Sequence, residues 1–139
     1  MTRHFASTLF LLGVSAPLLA SAAPAAPAAT PHARVTELMT RALPDIPGRE
    51  ATMITVEYPP GARDAGHRHD ADVFVYVLEG SIVMGVKGQP EVTLHAGDTW
   101  YEGPNDLHTV GRNASTSEPA RFVVLLLKKP GAPILVPLD

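Results

Sequence analysis

Short apolar runs, each closed by a turn, follow one another along most of this chain. Thr52 to Tyr58 alternates well enough for a half-buried strand, and Pro59-Pro60-Gly61 ends it. Val73 to Leu78 is apolar on both faces, the pattern of a central strand covered on two sides. Glu79-Gly80 turns into Ser81–Val86, and Lys87-Gly88-Gln89-Pro90 turns into Glu91–Leu94. Ala96-Gly97-Asp98 precedes a strand over Thr99–Glu102 and another over His108–Val110. A polar loop from Asn113 to Pro119 leads to the last strong strand, Phe122–Leu127. Val35–Met39 reads as a strand or a short helical turn, stopped by Pro44 and Pro47. Nothing reads as a long helix. Strands of this length at this spacing predict an all-β sandwich or barrel.

Into this pattern the chain sets three histidines. His67 and His69 stand two residues apart just before the Val73–Leu78 run, and His108 lies in a second Gly/Pro-punctuated stretch that begins at Gly97. Residues i and i+2 of a strand share a face, so the first two imidazoles can act together. Neutral imidazole is the commonest protein metal ligand. Arg68 and Asp70 around them also permit a solvated loop. His95, before the Ala96-Gly97 turn, reads as an exposed turn residue.

Gly61, His67, His69 and Gly80, followed by Gly97 and His108, resemble the two sequence motifs of the cupin superfamily from about Val35 to Lys128. The first motif is G-x5-H-x-H-x(3,4)-E-x6-G, and its glutamate slot here holds Val73 or Phe74. In the second, Gly103, Asn105 and Arg112 stand where Pro, Gly and Asn are usual, with Pro104 and Asn113 each displaced by one. The resemblance implies a small double-stranded β-helix, or jelly-roll barrel. It also implies one divalent transition metal (Fe, Mn, Zn, Ni or Cu) held by His67, His69 and His108. Cupin-like proteins include dioxygenases, isomerases, sugar-binding regulators and storage proteins, so the fold leaves the reaction open.

Val73 coordinates nothing, and two carboxylates lie within reach of the vacant role. Asp72 is adjacent, but strand alternation turns it to the opposite face unless the loop persists through it. Glu102 shares a face with Trp100, and a Trp in a small barrel most often points inward. An inward carboxylate needs a metal, a cation or a hydrogen-bond donor beside it. Glu102 is therefore the expected fourth ligand or adjacent acid/base; the alternatives are a Glu102 at the rim in water, and a three-His site completed by water or substrate. Tyr58, Phe74, Tyr76, Trp100 and Phe122 are assigned mostly to core or dimer interface rather than to a ligand pocket. Asn113-Ala114-Ser115 matches a glycosylation acceptor by pattern only.

Composition bounds the rest. The chain has 139 residues, enough for a single domain, and a formal net charge of −3. Arg3 and His4, an apolar run from Phe5 to Ala20, and Ala20-Ser21-Ala22 have the build of a secretory signal peptide spanning residues 1–22. Residues 23–33 form an Ala/Pro-rich leader with too little to bury, and the barrel domain is expected over 34–139. The mature protein is then periplasmic or secreted, with no membrane attachment after cleavage. It has no cysteine for disulfides, so its core must carry stability. A mildly acidic domain without a basic cluster is not built for nucleic acid. Surplus apolar strand area, and the pairing habit implied by the cupin resemblance, predict a homodimer. Two functions remain open: an enzyme of dioxygenase- or isomerase-like type using the metal on a small organic substrate, or a binding protein that captures a small ligand or metal without turnover.

Overall fold

The computed structural model describes residues 29–139. The expected signal peptide lies outside these residues. Ten strands follow one another: β1 (Arg34–Ala42), β2 (Glu50–Tyr58), β3 (His67–Arg68), β4 (Ala71–Glu79), β5 (Ser81–Val86), β6 (Val92–His95), β7 (Thr99–Glu102), β8 (Leu107–Asn113), β9 (Ala120–Lys128) and β10 (Val136–Pro137). They form two five-stranded sheets, ordered β1-β2-β9-β4-β7 and β10-β3-β8-β5-β6, and every strand pair is antiparallel. The architecture is all-β, as the strand spacing implied, and its two sheets form the jelly roll that the cupin resemblance implied.

The alternation of the sequence is what fills the space between the sheets. On β2, Ile54, Val56 and Tyr58 turn inward; on β4, Val73, Val75 and Val77; on β9, Phe122, Val124 and Leu126. Ile82, Met84 and Leu94 meet them from the second sheet. Each such side chain removed from water contributes roughly 1.5–3 kcal/mol before the entropy of ordering it is counted. The β4–β5 turn is tight at Gly80, where φ is +72° and a Cβ would lie 2.5 Å from the Pro119 carbonyl oxygen. Only glycine meets both conditions at low cost.

Two readings of the pattern need correction. Val73–Leu78 is a central strand, but it is covered on one face only: Phe74 and Tyr76 are 44% and 49% exposed on the outer face. A run apolar on both faces marks burial on both only if a second layer exists, and the second sheet covers the inner face alone. The first strand is longer than the expected Val35–Met39 segment, because its pairing with β2 continues to Ala42 beyond an irregularity between Glu37 and Met39. Asn113, which matches a glycosylation acceptor by pattern only, lies in the interior. Its side-chain amide reaches the carbonyls of Tyr58, Pro59 and Glu118, and its Oδ1 accepts from the Ser115 N–H.

Candidate metal centre

The register of the sheets brings the chemistry together. In the second sheet His67 on β3 pairs directly with His108 on β8. His69 follows β3 by one residue and turns to the same place: its ring lies 4.8 Å from that of His67, centroid to centroid, the same separation as between His67 and His108. One ring nitrogen from each of the three lies within 4.8 Å of the others. His108 Nδ1 is 3.3 Å from His67 Nε2.

Glu102 completes the cluster from the first sheet. It ends β7, is 2% exposed, and sits with Oε1 3.3 Å from His108 Nδ1 and Oε2 3.6 Å from His69 Nε2. The indole N–H of Trp100 donates to Glu102 Oε1 at 3.0 Å, and Trp100 packs against the core. Glu102 is also the direct cross-strand partner of Val73, the residue in the glutamate slot of the first motif. Opposed residues on one face of an antiparallel pair hold their Cβ atoms about 4.5–5.5 Å apart. A carboxylate from β7 therefore reaches the space that one on β4 would occupy. Asp72 turns the other way, where it accepts a hydrogen bond from the Tyr101 hydroxyl at 2.8 Å on the exposed face. His95 is exposed, with Nδ1 3.1 Å from Ser81 Oγ, away from the cluster.

Backbone carbonyls set the tautomers of two imidazoles. His67 Nδ1 lies 2.9 Å from the Ala65 carbonyl, and His69 Nδ1 bonds the Ile134 carbonyl. A carbonyl only accepts, so both Nδ1 atoms carry the hydrogen and both Nε2 atoms keep a free lone pair. Burial holds His69 below the ordinary histidine range, against the pull of the Ile134 carbonyl and Glu102. It lowers His108 to about 4, with His67 adding to the effect. The same burial pushes the Glu102 carboxyl up, opposed chiefly by His69 and the Trp100 hydrogen bond.

These residues fit a metal ion. With metal–nitrogen bonds near 2.1 Å, ligand atoms at right or tetrahedral angles stand about 3.0–3.4 Å apart; His108 Nδ1 stands 3.3 Å from both His67 Nε2 and Glu102 Oε1, and the three imidazole nitrogens lie within 4.8 Å of one another. Glu102 Oε2 is buried without a hydrogen-bond partner, as is His108 Nε2. An orphaned buried carboxylate oxygen beside imidazole lone pairs is a costly arrangement that a cation relieves.

A family model for the cupin domain matches residues 54–126 of the chain. The chain is a cupin. No curated protein matches its sequence. Among solved structures, a cupin-like protein from Thermotoga maritima is 20% identical over 77% of this chain and 76% of its own, with a TM-score of 0.61. The DMSP lyase DddQ from Ruegeria pomeroyi DSS-3 is 22% identical, with a TM-score of 0.55, over 63% of this chain but only 42% of the lyase. A recombinant oxalate oxidase in complex with glycolate is also 22% identical, with a TM-score of 0.58, over 76% of this chain and 54% of its own. This cupin thus spans about half the length of those two enzymes or less. Identities at this level establish a shared fold.

The cavity beside the cluster, about 210 Å³, lies between the two sheets. Tyr58 and Phe122 line it as an edge-to-face pair with centroids 5.1 Å apart, so two of the aromatics assigned to the core also form pocket wall. Two contributors escaped the sequence. Asp64 accepts a hydrogen bond from the Tyr58 hydroxyl inside the cavity wall. Ile134, far along the chain, supplies the carbonyl that orients His69. Asp64 falls in the unspecified gap between Gly61 and His67, and a backbone carbonyl leaves no mark in a sequence.

Proposed function

We propose that this cupin holds one divalent transition metal through His67, His69, His108 and Glu102, and that it binds or transforms a small organic molecule in the adjoining cavity. The observation that carries the reading is Glu102: a buried carboxylate with one unpartnered oxygen, among three imidazoles, directly across the strand pair from the slot where a ligand glutamate is missing. A bound dication would supply Lewis acidity, or redox chemistry if it is iron, copper or manganese. The chain's own contributions are clear in kind. His67 and His69 present lone pairs fixed by backbone carbonyls, Trp100 anchors one oxygen of Glu102, and the apolar walls exclude water. Glu102 lines the cavity and also serves as the acid/base group beside the metal. Titration of the metal-stripped protein with Zn²⁺ tests the centre: uptake of one ion that is lost in His67→Ala and in His108→Ala supports it, and uptake unaffected by both overturns it.

Capture without turnover is the second reading. Its support is that the two carboxyl groups lining the cavity are both engaged, Glu102 with the imidazoles and Trp100 and Asp64 with the Tyr58 hydroxyl. Metal analysis of protein from its native compartment separates the readings, with a redox metal favouring oxygen chemistry and zinc favouring binding. We further propose export through residues 1–22, read out as their loss in the intact mass, and association of two copies.

A further inference from the structure

The cavity has a charge balance that narrows its ligand. Its walls are aliphatic or aromatic over most of their extent, with Ile54, Val56, Val75, Phe122, Val124 and Leu126 among them. The polar groups are the metal cluster and the Tyr58–Asp64 pair. Among the described residues that line the cavity there is no Arg or Lys. Arg63, next to Asp64, is exposed and does not line the cavity, and cations on three neighbouring strands are engaged elsewhere. Arg68 on β3 pairs with Asp70, Arg112 on β8 pairs with Glu91, and the buried Lys128 at the end of β9 pairs with Glu50. Two carboxyl groups, Glu102 and Asp64, set against one dication leave no positive charge over for an anion.

Resting on the metal-centre reading above, we infer that the ligand is a small molecule without net negative charge, with an apolar body and one neutral nitrogen or oxygen donor for the metal. A carboxylate placed here would be stripped of water and meet no compensating side chain, a strongly unfavourable transfer. A neutral ligand loses little solvation and gains contact with the aliphatic walls. The size fits a small body: 210 Å³ is below the roughly 300–1,000 Å³ of drug-sized pockets. The Tyr58 hydroxyl, already donating to Asp64, has its oxygen lone pairs left to receive a donor on the ligand.

The test uses cobalt(II)-loaded protein, whose visible absorption reports changes in coordination, and a matched pair of probes. 3-Methylpyridine and pyridine-3-carboxylate share the ring nitrogen donor and the overall shape but differ in charge. Glycolate adds a smaller anion. The expected result is a spectral shift with 3-methylpyridine at a half-saturating concentration lower than that of pyridine-3-carboxylate by roughly tenfold or more, since only the anion must be buried uncompensated. Asp64→Asn, which keeps the shape and removes a negative charge, is expected to tighten pyridine-3-carboxylate and narrow the gap. The proposal is overturned if either anion binds as tightly as 3-methylpyridine, or if 3-methylpyridine leaves the spectrum of the cobalt-loaded protein unchanged. Failure of the metal-centre reading looks different: the parent takes up no cobalt, or takes it up equally when His67 and His108 are both alanine. That outcome sinks the ligand proposal as well.

Discussion

A single cross-strand exchange distinguishes this site. Where the cupin motif expects a glutamate on β4 the chain has Val73, and its opposite neighbour on β7 is Glu102. If Glu102 is a ligand, Glu102→Gln keeps the shape but removes the charge that balances the metal, weakening binding by about 10–100-fold. Val73→Glu in that background is expected to recover part of the loss, because the two positions share a face and a neighbourhood. His95→Ala is expected to change nothing. Isothermal titration of the parent, these three variants and Asp72→Asn with Zn²⁺ decides the matter. Weakening by Asp72→Asn but not by Glu102→Gln would overturn Glu102 as the fourth ligand and give that role to Asp72. The same burial has a pH consequence in the metal-free protein. His108 falls from an ordinary 6.5 to about 4 in the fold. Between those values the unfolded chain takes a proton that the folded one refuses, so stability drops as pH falls from about 6.5 towards 4, and His108 adds no slope above that window. Glu102, shifted upward, acts in the opposite sense, favouring the fold on the acid side and losing that contribution as pH rises. Urea midpoints at pH 7 and pH 5, measured in chelator, are expected to differ more for the parent than for His108→Asn. An equal difference would mean that His108 is protonated as easily in the fold as in the unfolded chain.

At the scale of elements, the segment after β9 does more than its sequence suggests. β10 pairs with β3, the Leu138 N–H donates to the Gly66 carbonyl at 3.0 Å, and Leu135 and Pro137 line the cavity. Just before them, the Ile134 carbonyl fixes the ring of His69. Deleting residues 132–139 is expected to weaken metal binding by about tenfold or more, through loss of that orienting carbonyl. A cobalt spectrum and affinity equal to the parent's would show that His69 needs no such partner. This element was invisible to pattern reading, because Ala132-Pro133-Ile134-Leu135-Val136-Pro137 has neither period nor length for a strand. The long strands were legible for the opposite reason. On β2 and β9, alternation is imposed by one buried face, and it can be read residue by residue. The three imidazoles were legible because their type and spacing carry the chemistry. The position of Glu102 was legible only through Trp100, whose size drew that face inward. The Tyr58–Asp64 contact closes over a short span of chain, but the loop after β2 has no periodicity from which the meeting of the two side chains could be read.

For the whole molecule the outer face of the first sheet is the open question, and it argues for a second copy. Phe74, Tyr76 and Leu78 of β4 stand beside Tyr101 of β7 and the half-buried Val123 and Leu125 of β9, and the Phe74 and Tyr101 rings meet at a tilt of 50° with centroids 5.3 Å apart. Contiguous apolar groups left in water at the middle of a sheet are the pattern of an association surface rather than of a solvated face. The side chains point away from the cavity, since their strand neighbours Val73 and Val75 face it. Interface and metal centre are therefore separable by mutation. The parent is expected to run as a dimer by light scattering at micromolar concentration. Tyr76→Glu places a charge on each copy within that apolar contact and is expected to give monomer, with zinc affinity unchanged. A monomeric parent would count against association altogether. A dimer that survives both Tyr76→Glu and Phe74→Glu would place the contact elsewhere, with the exposed edge strand β1 as the next surface to probe, because among the described residues no strand pairs with its outer edge and a second strand can meet it.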